Sequence, residues 1–297
     1  VKTVIIIAGP TAVGKTAIAI DLALYFQTAI ISADSRQCFK ELSIGVARPS
    51  EEELKQVPHY FIASHSIHEE VTAAGFETYA LQKVNELFAD HDVVVMAGGT
   101  GLYIKAFCEG LDAVPDVPDD IRTGIIRAYE THGLQWLQQQ LQEKDPVFYG
   151  KGEMKNPQRM MRALEVVEAT GHSIFDFRKG EATIRGFNIV KIGLELPREE
   201  LYQRINARVD DMMQNGLLEE VRSLLPYQHL NALQTVGYAE LFDYLDHHVT
   251  LERAIELIKQ HTRRYAKRQM TWFKKDKDFH WFNPRQFEEI RTFAASL

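Results

Sequence analysis

The apolar positions of this chain change their spacing repeatedly, and each change predicts an element. Val4 to Ala8 is an unbroken apolar run of β-branched character, too short for a helix and stopped by Gly9-Pro10, which predicts a strand buried on both faces. Beyond a glycine-rich segment, Ala17, Ile18, Ala19, Leu22, Ala23 and Phe26 recur at helical spacing, so strand, loop and helix follow one another. Ala29 to Ala33 predicts a second short strand ending at Asp34. Phe76, Ala80, Leu81, Val84, Leu87 and Phe88 place a helix between Ala73 and Asp90, and Asp92 to Ala97 a third strand closed by Gly98-Gly99. Apolar strands alternating with helices predict an α/β fold with a mostly parallel sheet flanked by helices.

The pattern shifts after Val114-Pro115-Asp116-Val117-Pro118. From there to about Gly180 only helical spacing is found: Asp120 to Thr131, Gly133 to Gln142 and Pro157 to Thr170. The last has Asn156 at the N-cap, Pro157 in the first helical position and Gly171 just beyond the end. Strand character returns at Ile189 to Leu194, although Lys191 and Gly193 interrupt its apolar run. The helical block is therefore expected as an all-helical insertion, residues 116–186, between two segments of one core, 1–115 and 187–297. Two long amphipathic helices, Glu199 to Leu225 and Leu251 to Phe273, belong to the second segment.

The chain has 297 residues, 45% of them hydrophobic and 25% charged, which fits a globular protein with a sizeable core. No apolar run approaches the roughly 20 residues of a membrane span, so no membrane partner is expected. Cys38 and Cys108 give neither a disulfide framework nor metal-ligand spacing, which fits a reducing, cytoplasmic setting. A formal charge of −7 argues mildly against a nucleic-acid partner, but such a footprint is made by local clustering. From Leu257 to Lys275 the chain carries Lys259, Arg263, Arg264, Lys267, Arg268, Lys274 and Lys275 and no acidic residue. Trp272 and Phe273 are interleaved with these cations, which favours a polyanion-facing surface over a merely solvated helix face.

Gly9-Pro10-Thr11-Ala12-Val13-Gly14-Lys15-Thr16 matches the phosphate loop in full, between a strand and a helix as its geometry requires. In such a P-loop NTPase-like core, backbone N–H groups of a stretch such as Gly9, Thr11, Ala12 and Gly14 surround anionic oxygens. Lys15 adds a mobile cation, and the Thr16 hydroxyl can ligate a divalent ion. The motif usually announces ATP or GTP, with a carboxylate after the third strand to hold the ion. Here that strand runs into Met96-Ala97-Gly98-Gly99-Thr100, and the acid appears instead as Asp34. The loop reports only a polyphosphate. It leaves open a nucleoside or small-molecule kinase whose acceptor Asp34 activates, an enzyme whose loop holds a pyrophosphate leaving group, and a non-catalytic P-loop RNA-binding or switch protein. If Asp34 and Thr100 both face the loop, they bracket one reacting centre, with Asp34 accepting a proton and Thr100 orienting the nucleophile.

In their order and spacing, several stretches resemble the tRNA dimethylallyltransferase family over nearly the whole chain. They are the phosphate loop, Asp34-Ser35-Arg36-Gln37, Ile44-Gly45 with Pro49, Val57-Pro58-His59, Gly98-Gly99-Thr100-Gly101-Leu102-Tyr103, Arg159 with Arg162-Ala163-Leu164-Glu165, Val236-Gly237-Tyr238, Lys267-Arg268-Gln269 and Thr271-Trp272-Phe273. The resemblance implies transfer of a dimethylallyl group from dimethylallyl pyrophosphate to N6 of the adenine 3′ of the anticodon in tRNA. It implies Asp34 as general base, Thr100 assisting it, Lys15 and Arg208 holding the pyrophosphate, and Mg²⁺ at Thr16 and Asp34. Ser35, Gln37, Gly99, Arg159, Lys267, Arg268 and Gln269 join the phosphate loop as substrate-facing positions. The insertion corresponds to the family's grip on the tRNA anticodon stem-loop, and a monomer is expected. Val46 stands where the family usually has threonine, Glu41 where glycine is common, Arg48 where lysine is common, and Ala239 where a lysine or arginine often follows the Gly-Tyr pair. The basic helix and the cations of the insertion would have little use in a kinase.

Overall fold

The structure is a computed structural model and describes residues 1–178, 180 and 182–296. Six strands form one parallel sheet: β1 (Thr3–Ala8), β2 (Ile30–Ser32), β3 (His59–Tyr60), β4 (Val93–Gly98), β5 (Asn188–Leu194) and β6 (Phe279–Phe282). Their order is β3-β2-β4-β1-β5-β6, a P-loop-like α/β arrangement. Val4, Ile6 and Ala8 of β1 pack into one apolar cluster with Phe76, Phe107 and Tyr238, whereas Ile5 and Ile7 pack into another with Ile18, Leu22 and Ile205. Side chains alternate across a strand, so a continuous apolar run feeds a core on each face of the sheet.

Register decides where the loops emerge. Ala8 of β1 lies opposite Gly98 of β4 and Gly193 of β5, and Ser32 of β2 opposite Ala97. The carboxyl ends of neighbouring strands are therefore level. The phosphate loop after β1, the Asp34 turn after β2 and the Gly99-Thr100 turn after β4 leave the same edge, the usual ligand address in a parallel sheet.

The two breaks in the β5 pattern are explained by β6, which the spacing of apolar residues did not predict. Lys191 is 9% exposed, and its Nζ lies 2.7 Å from Asp276 and 3.7 Å from Asp278, just before β6. At Gly193 a side chain would collide with the Trp281 ring of β6. Four residues behind a charged run are too few to show alternation, and the two-residue β3 at the other edge escapes for the same reason. The expected Glu199 to Leu225 helix is two helices, Arg198–Gln214 and Leu217–Ser223, broken at Gly216 with φ 97°. The Leu251–Phe273 helix has the predicted bounds.

Residues Val1–Cys108 and Ile184–Leu297 form one compact unit and Glu109–Thr183 another. Regular structure among the described residues of the second is all helical: Asp119–Lys144, Pro146–Lys151, Pro157–Thr170 and Ile174–Phe177. Gly133, at φ 72° and ψ −166°, interrupts the first of these where the sequence spacing also breaks. Asn156 Oδ1 accepts from the Arg159 N–H at 3.3 Å, and Gly171, at φ 74°, donates to the Val167 carbonyl at 2.8 Å, so both predicted caps form. Leu137, Leu141, Met160 and Leu164 are fully buried in this unit's own core.

Candidate active site

The phosphate loop passes into the helix Lys15–Tyr25 at Gly14, whose φ of 108° ordinary side chains avoid. The first turn of a helix has N–H groups without intrahelical acceptors, and Gly14 supplies no side-chain cap, so these donors are left for an anion. Lys15 Nζ donates to the carbonyls of Gly9 at 3.1 Å and Pro10 at 2.8 Å, holding its ammonium across the loop. Burial pushes its pKa down to about 8, with Asp34 pulling upward and Arg208 pushing further down. The Arg208 pKa is likewise lowered, by burial and then by Arg204, with Glu53 opposing. Neither Lys15 nor Arg208 has an ion pair among the described residues. Two adjacent cations without carboxylate partners make an anion site.

A cleft of about 590 Å³ gathers Thr11, Ala12, Gly14, Lys15 and Thr16 with Asp34, Ser35, Gln37, Arg208 and Gln269. Asp34 Oδ1 accepts from the N–H groups of Arg36 at 2.9 Å and Gln37 at 3.1 Å, so it caps the turn after β2. Its Oδ2 has no hydrogen-bond partner among the described residues. One oxygen thus fixes the carboxylate while the other remains a free base or ligand. Thr100 Oγ1 accepts from the Ser35 N–H at 3.0 Å and donates to Ser35 Oγ at 3.3 Å, which ties the β4 turn to the Asp34 turn. Thr16 and Asp34 could hold a divalent ion. No group of three or more His, Cys, Asp or Glu suited to a metal occurs among the described residues. The Thr16 hydroxyl and the Asp34 carboxylate are oxygen donors of the kind a hard divalent cation takes.

Other side chains expected to face the substrate also hydrogen-bond within the protein. Gln37 Nε2 donates to the carbonyls of Val46 at 3.2 Å and Ala47 at 2.9 Å, and its Oε1 accepts from Ser32 Oγ at 3.3 Å. Gln37 therefore secures the 46–47 loop, and Val46 lines the cleft. Gln269 Oε1 accepts from the Thr11 N–H, and its Nε2 donates to the Gly99 carbonyl, each at 2.9 Å. Gly9 and Gly99 act through their backbones. A side chain on Gly9 would meet the Leu194 carbonyl, and one on Gly99 would collide with Gln269. Arg159 lies in the second unit, exposed, with its Nη1 2.7 Å from Glu153 Oε2.

The basic helix is sorted by its faces. Lys259 pairs with Asp210 at 2.8 Å, Arg263 donates to Asn206 Oδ1 at 2.6 Å, and Lys274 pairs with Glu195 at 2.7 Å. Arg264, Lys267 and Arg268 are exposed and have no ion pair among the described residues. Arg268 stands 5.7 Å from the Tyr265 ring centre.

Tyr265, which no sequence motif singled out, lines the cleft beside Thr100, where burial and then Asp34 push its phenol up to about 12. Its spacing of four from Gln269 was the available signal. Glu220 was missed as well. It accepts from the N–H groups of Ser43 at 3.2 Å, Ile44 at 2.8 Å and Gly45 at 3.0 Å and from the Tyr238 hydroxyl at 2.5 Å, so it holds the 43–48 loop from below. Gly45 gives the Tyr238 ring its clearance. Arg48 secures the same loop by donating to the carbonyls of Phe39 and Lys40, each at 2.9 Å, and of Leu42.

A family model described as IPP transferase matches residues 37–276. The tRNA dimethylallyltransferase of Cytophaga hutchinsonii is 49% identical, covering 99% of this chain and 97% of its own. The tRNA dimethylallyltransferase 1 of Phocaeicola vulgatus is 47% identical, with 99% and 98% covered. The full-length tRNA isopentenylpyrophosphate transferase of Bacillus halodurans has a similar structure, with a TM-score of 0.74 at 34% identity, covering 100% of this chain and 96% of that one. A eukaryotic dimethylallyltransferase described as acting on tRNA gives a TM-score of 0.79 at 26% identity, covering 100% and 77%.

Proposed function

The chain belongs to the tRNA dimethylallyltransferase (IPP transferase) family, and on that premise we propose that it transfers a dimethylallyl group from dimethylallyl pyrophosphate to N6 of the adenine 3′-adjacent to the anticodon, releasing pyrophosphate. The observation that carries this reading is the pairing of an anion cradle, with unpaired Lys15 and Arg208, and a fixed Asp34 carboxylate with one unengaged oxygen. A kinase would need the cradle, but the cationic face of Arg264, Lys267 and Arg268 on the helix that reaches it through Gln269 suits an RNA substrate.

The adenine amine is a weak nucleophile because its lone pair is delocalised into the ring. Attack on the allylic carbon forms the N6–C1 bond as the C1–O bond to pyrophosphate breaks, and the N6 proton passes to Asp34 Oδ2. Thr100, whose hydroxyl is bonded to Ser35 next to Asp34, assists by orienting the amine. Negative charge grows on the departing pyrophosphate, where loop N–H groups, Lys15 and Arg208 stabilise it more than in the ground state. The Thr16 hydroxyl and the Asp34 carboxylate, which line the same cleft, would hold Mg²⁺, and the ion would supply further neutralisation of the leaving group. In this reading the helical unit grips the anticodon stem-loop with Arg159 among its contacts, and the enzyme works as a cytoplasmic monomer.

The test is incubation with labelled dimethylallyl pyrophosphate and unmodified tRNA beside ATP with nucleoside acceptors. Label entering tRNA supports the transferase. Phosphate transfer from ATP without prenyl transfer overturns it.

A further inference from the structure

The Leu251–Phe273 helix meets the turn after β4 through a single face, and Gln269 on that face is 7% exposed. Its Oε1 takes the Thr11 N–H and its Nε2 gives a hydrogen to the Gly99 carbonyl, both at 2.9 Å. The two partners are of opposite kind, which fixes the amide in one orientation. Thr11 belongs to the loop that cradles the leaving group. Gly99 immediately precedes Thr100, whose hydroxyl is bonded to Ser35 beside Asp34. One side chain therefore spans the donor cradle and the base-orienting turn. Both spanned segments are glycine-rich, with backbones that are intrinsically permissive, so their relative placement needs an external tie. The fit is close: a Cβ at Gly99 would collide with Gln269 Nε2, and a Cβ at Gly101 would collide with the Trp272 indole three residues further along the same helix.

We infer that Gln269 is a positioning residue for transfer: it sets the phosphate loop at a fixed distance from the Asp34–Thr100 pair. This rests on the reading of the cleft as a dimethylallyl-transfer site. Each end of the amide is engaged by a backbone group, Oε1 by the Thr11 N–H and Nε2 by the Gly99 carbonyl, and the side chain is buried between them. Displacement at allylic carbon demands that the reacting atoms be held about 3–3.5 Å apart and aligned, and a misplacement of roughly 1 Å costs on the order of 10²-fold in rate.

The test is Gln269→Glu, followed by single-turnover transfer at saturating donor and tRNA. Ionised, the new carboxylate still accepts from Thr11 but sets a second acceptor against the Gly99 carbonyl. The transfer constant should fall about 10²-fold at pH 8. Pyrophosphate affinity, by competition, and tRNA affinity, by filter binding, should stay within about threefold. A protonated glutamate has the same donor and acceptor pattern as glutamine. The ratio of variant to wild-type rate should therefore climb back toward one as the pH is lowered. Asp34, Glu53, Lys15, Arg36, Arg48, Arg208, His59 and Tyr265 line the same cleft in both proteins, so the wild-type pH profile is the reference for that ratio and Gln269→Met, which adds no charge, is its control.

Gln269→Met, similar in length but without either bond, should show a deficit that does not recover at low pH, and it carries the test if the glutamate variant does not fold. A rate per folded molecule equal to wild type at every pH, with only the melting temperature lowered, overturns the inference in favour of simple support. A rate loss matched by an equal loss of donor or tRNA affinity overturns it in favour of substrate contact. Wild-type transfer in the same runs separates either outcome from a failure of the reaction assignment itself.

Discussion

The phosphate loop and the Leu251–Phe273 helix both border the cleft and both carry cations, yet they encode their roles differently. In the loop, eight contiguous residues carry their own chemistry, because the anion-binding groups are backbone N–H and the spacing fixes their geometry. In the helix, the cations look equivalent in sequence, and their surroundings divide them. Lys259, Arg263 and Lys274 hold the helix to its own unit, Arg264, Lys267 and Arg268 stay exposed, and Gln269 reaches the catalytic turn. A loop motif can be read as chemistry directly, whereas a charged helix acquires its meaning from what each face meets.

The largest expected effect tests the turn that both regions address. Asp34→Asn keeps the Oδ1 acceptor for the Arg36 and Gln37 N–H groups, so the turn should survive. It removes the base, and single-turnover transfer at saturating substrates should fall by about 10² to 10⁴, roughly 3 to 5 kcal/mol. A Mg²⁺ titration run alongside distinguishes a lost base from a lost metal ligand: recovery at high Mg²⁺ would assign Asp34 to the ion instead.

Lys15 tests the loop side. Lys15→Ala should weaken donor binding by about 10- to 150-fold, the worth of roughly 1.5–3 kcal/mol for a hydrogen bond to a charged group, and leave tRNA affinity nearly unchanged. In the wild type, the lowered Lys15 pKa gives a sign that can be checked. Below about 8 the ammonium is already charged and binds the anion without taking up a proton. Above that value a proton must be acquired on binding, so donor affinity should fall with rising pH by up to about tenfold per unit. Calorimetry in buffers of different ionisation enthalpy reads this uptake, and a flat profile through this range would remove Lys15 from the anion site.

The helix side is sharpened by salt. Replacing Arg264, Lys267 and Arg268 with glutamine should reduce the log–log salt slope of tRNA binding by about 2 to 3, since each phosphate contact contributes roughly 0.7 to 0.9. Replacing Lys259 and Arg263 should lower stability and leave the slope unchanged. Equal slopes for the two sets would erase the division between faces.

Smallest is the effect beneath the 43–48 loop. Tyr238→Phe removes the hydroxyl from Glu220, which keeps its three backbone donors. The loss should be about 1 kcal/mol, or roughly 2–4 °C in Tm, with little change in transfer at saturating substrate.

The sequence by itself determined the elements whose pattern is long or whose chemistry is contiguous. The strands at Val4–Ala8 and Asp92–Ala97, the Leu251–Phe273 helix, the Asn156 and Gly171 caps and the phosphate loop were all legible, because apolar period and turn chemistry are local properties. Tertiary structure alone decided the short edge strands, whose pairing is made by the neighbour: Lys191 and Gly193 look like defects until Asp276 and Trp281 arrive beside them. It alone decided that Gln37 and Gln269 spend their amides on backbone, that Glu220 carries a loop 175 residues away in sequence, and that Tyr265 stands at the cleft. A glutamine or glutamate has the same donors and acceptors wherever it stands in the chain. Which of them are used is set by the unpaired backbone groups that the fold brings within about 3 Å, and those groups carry no mark in the sequence.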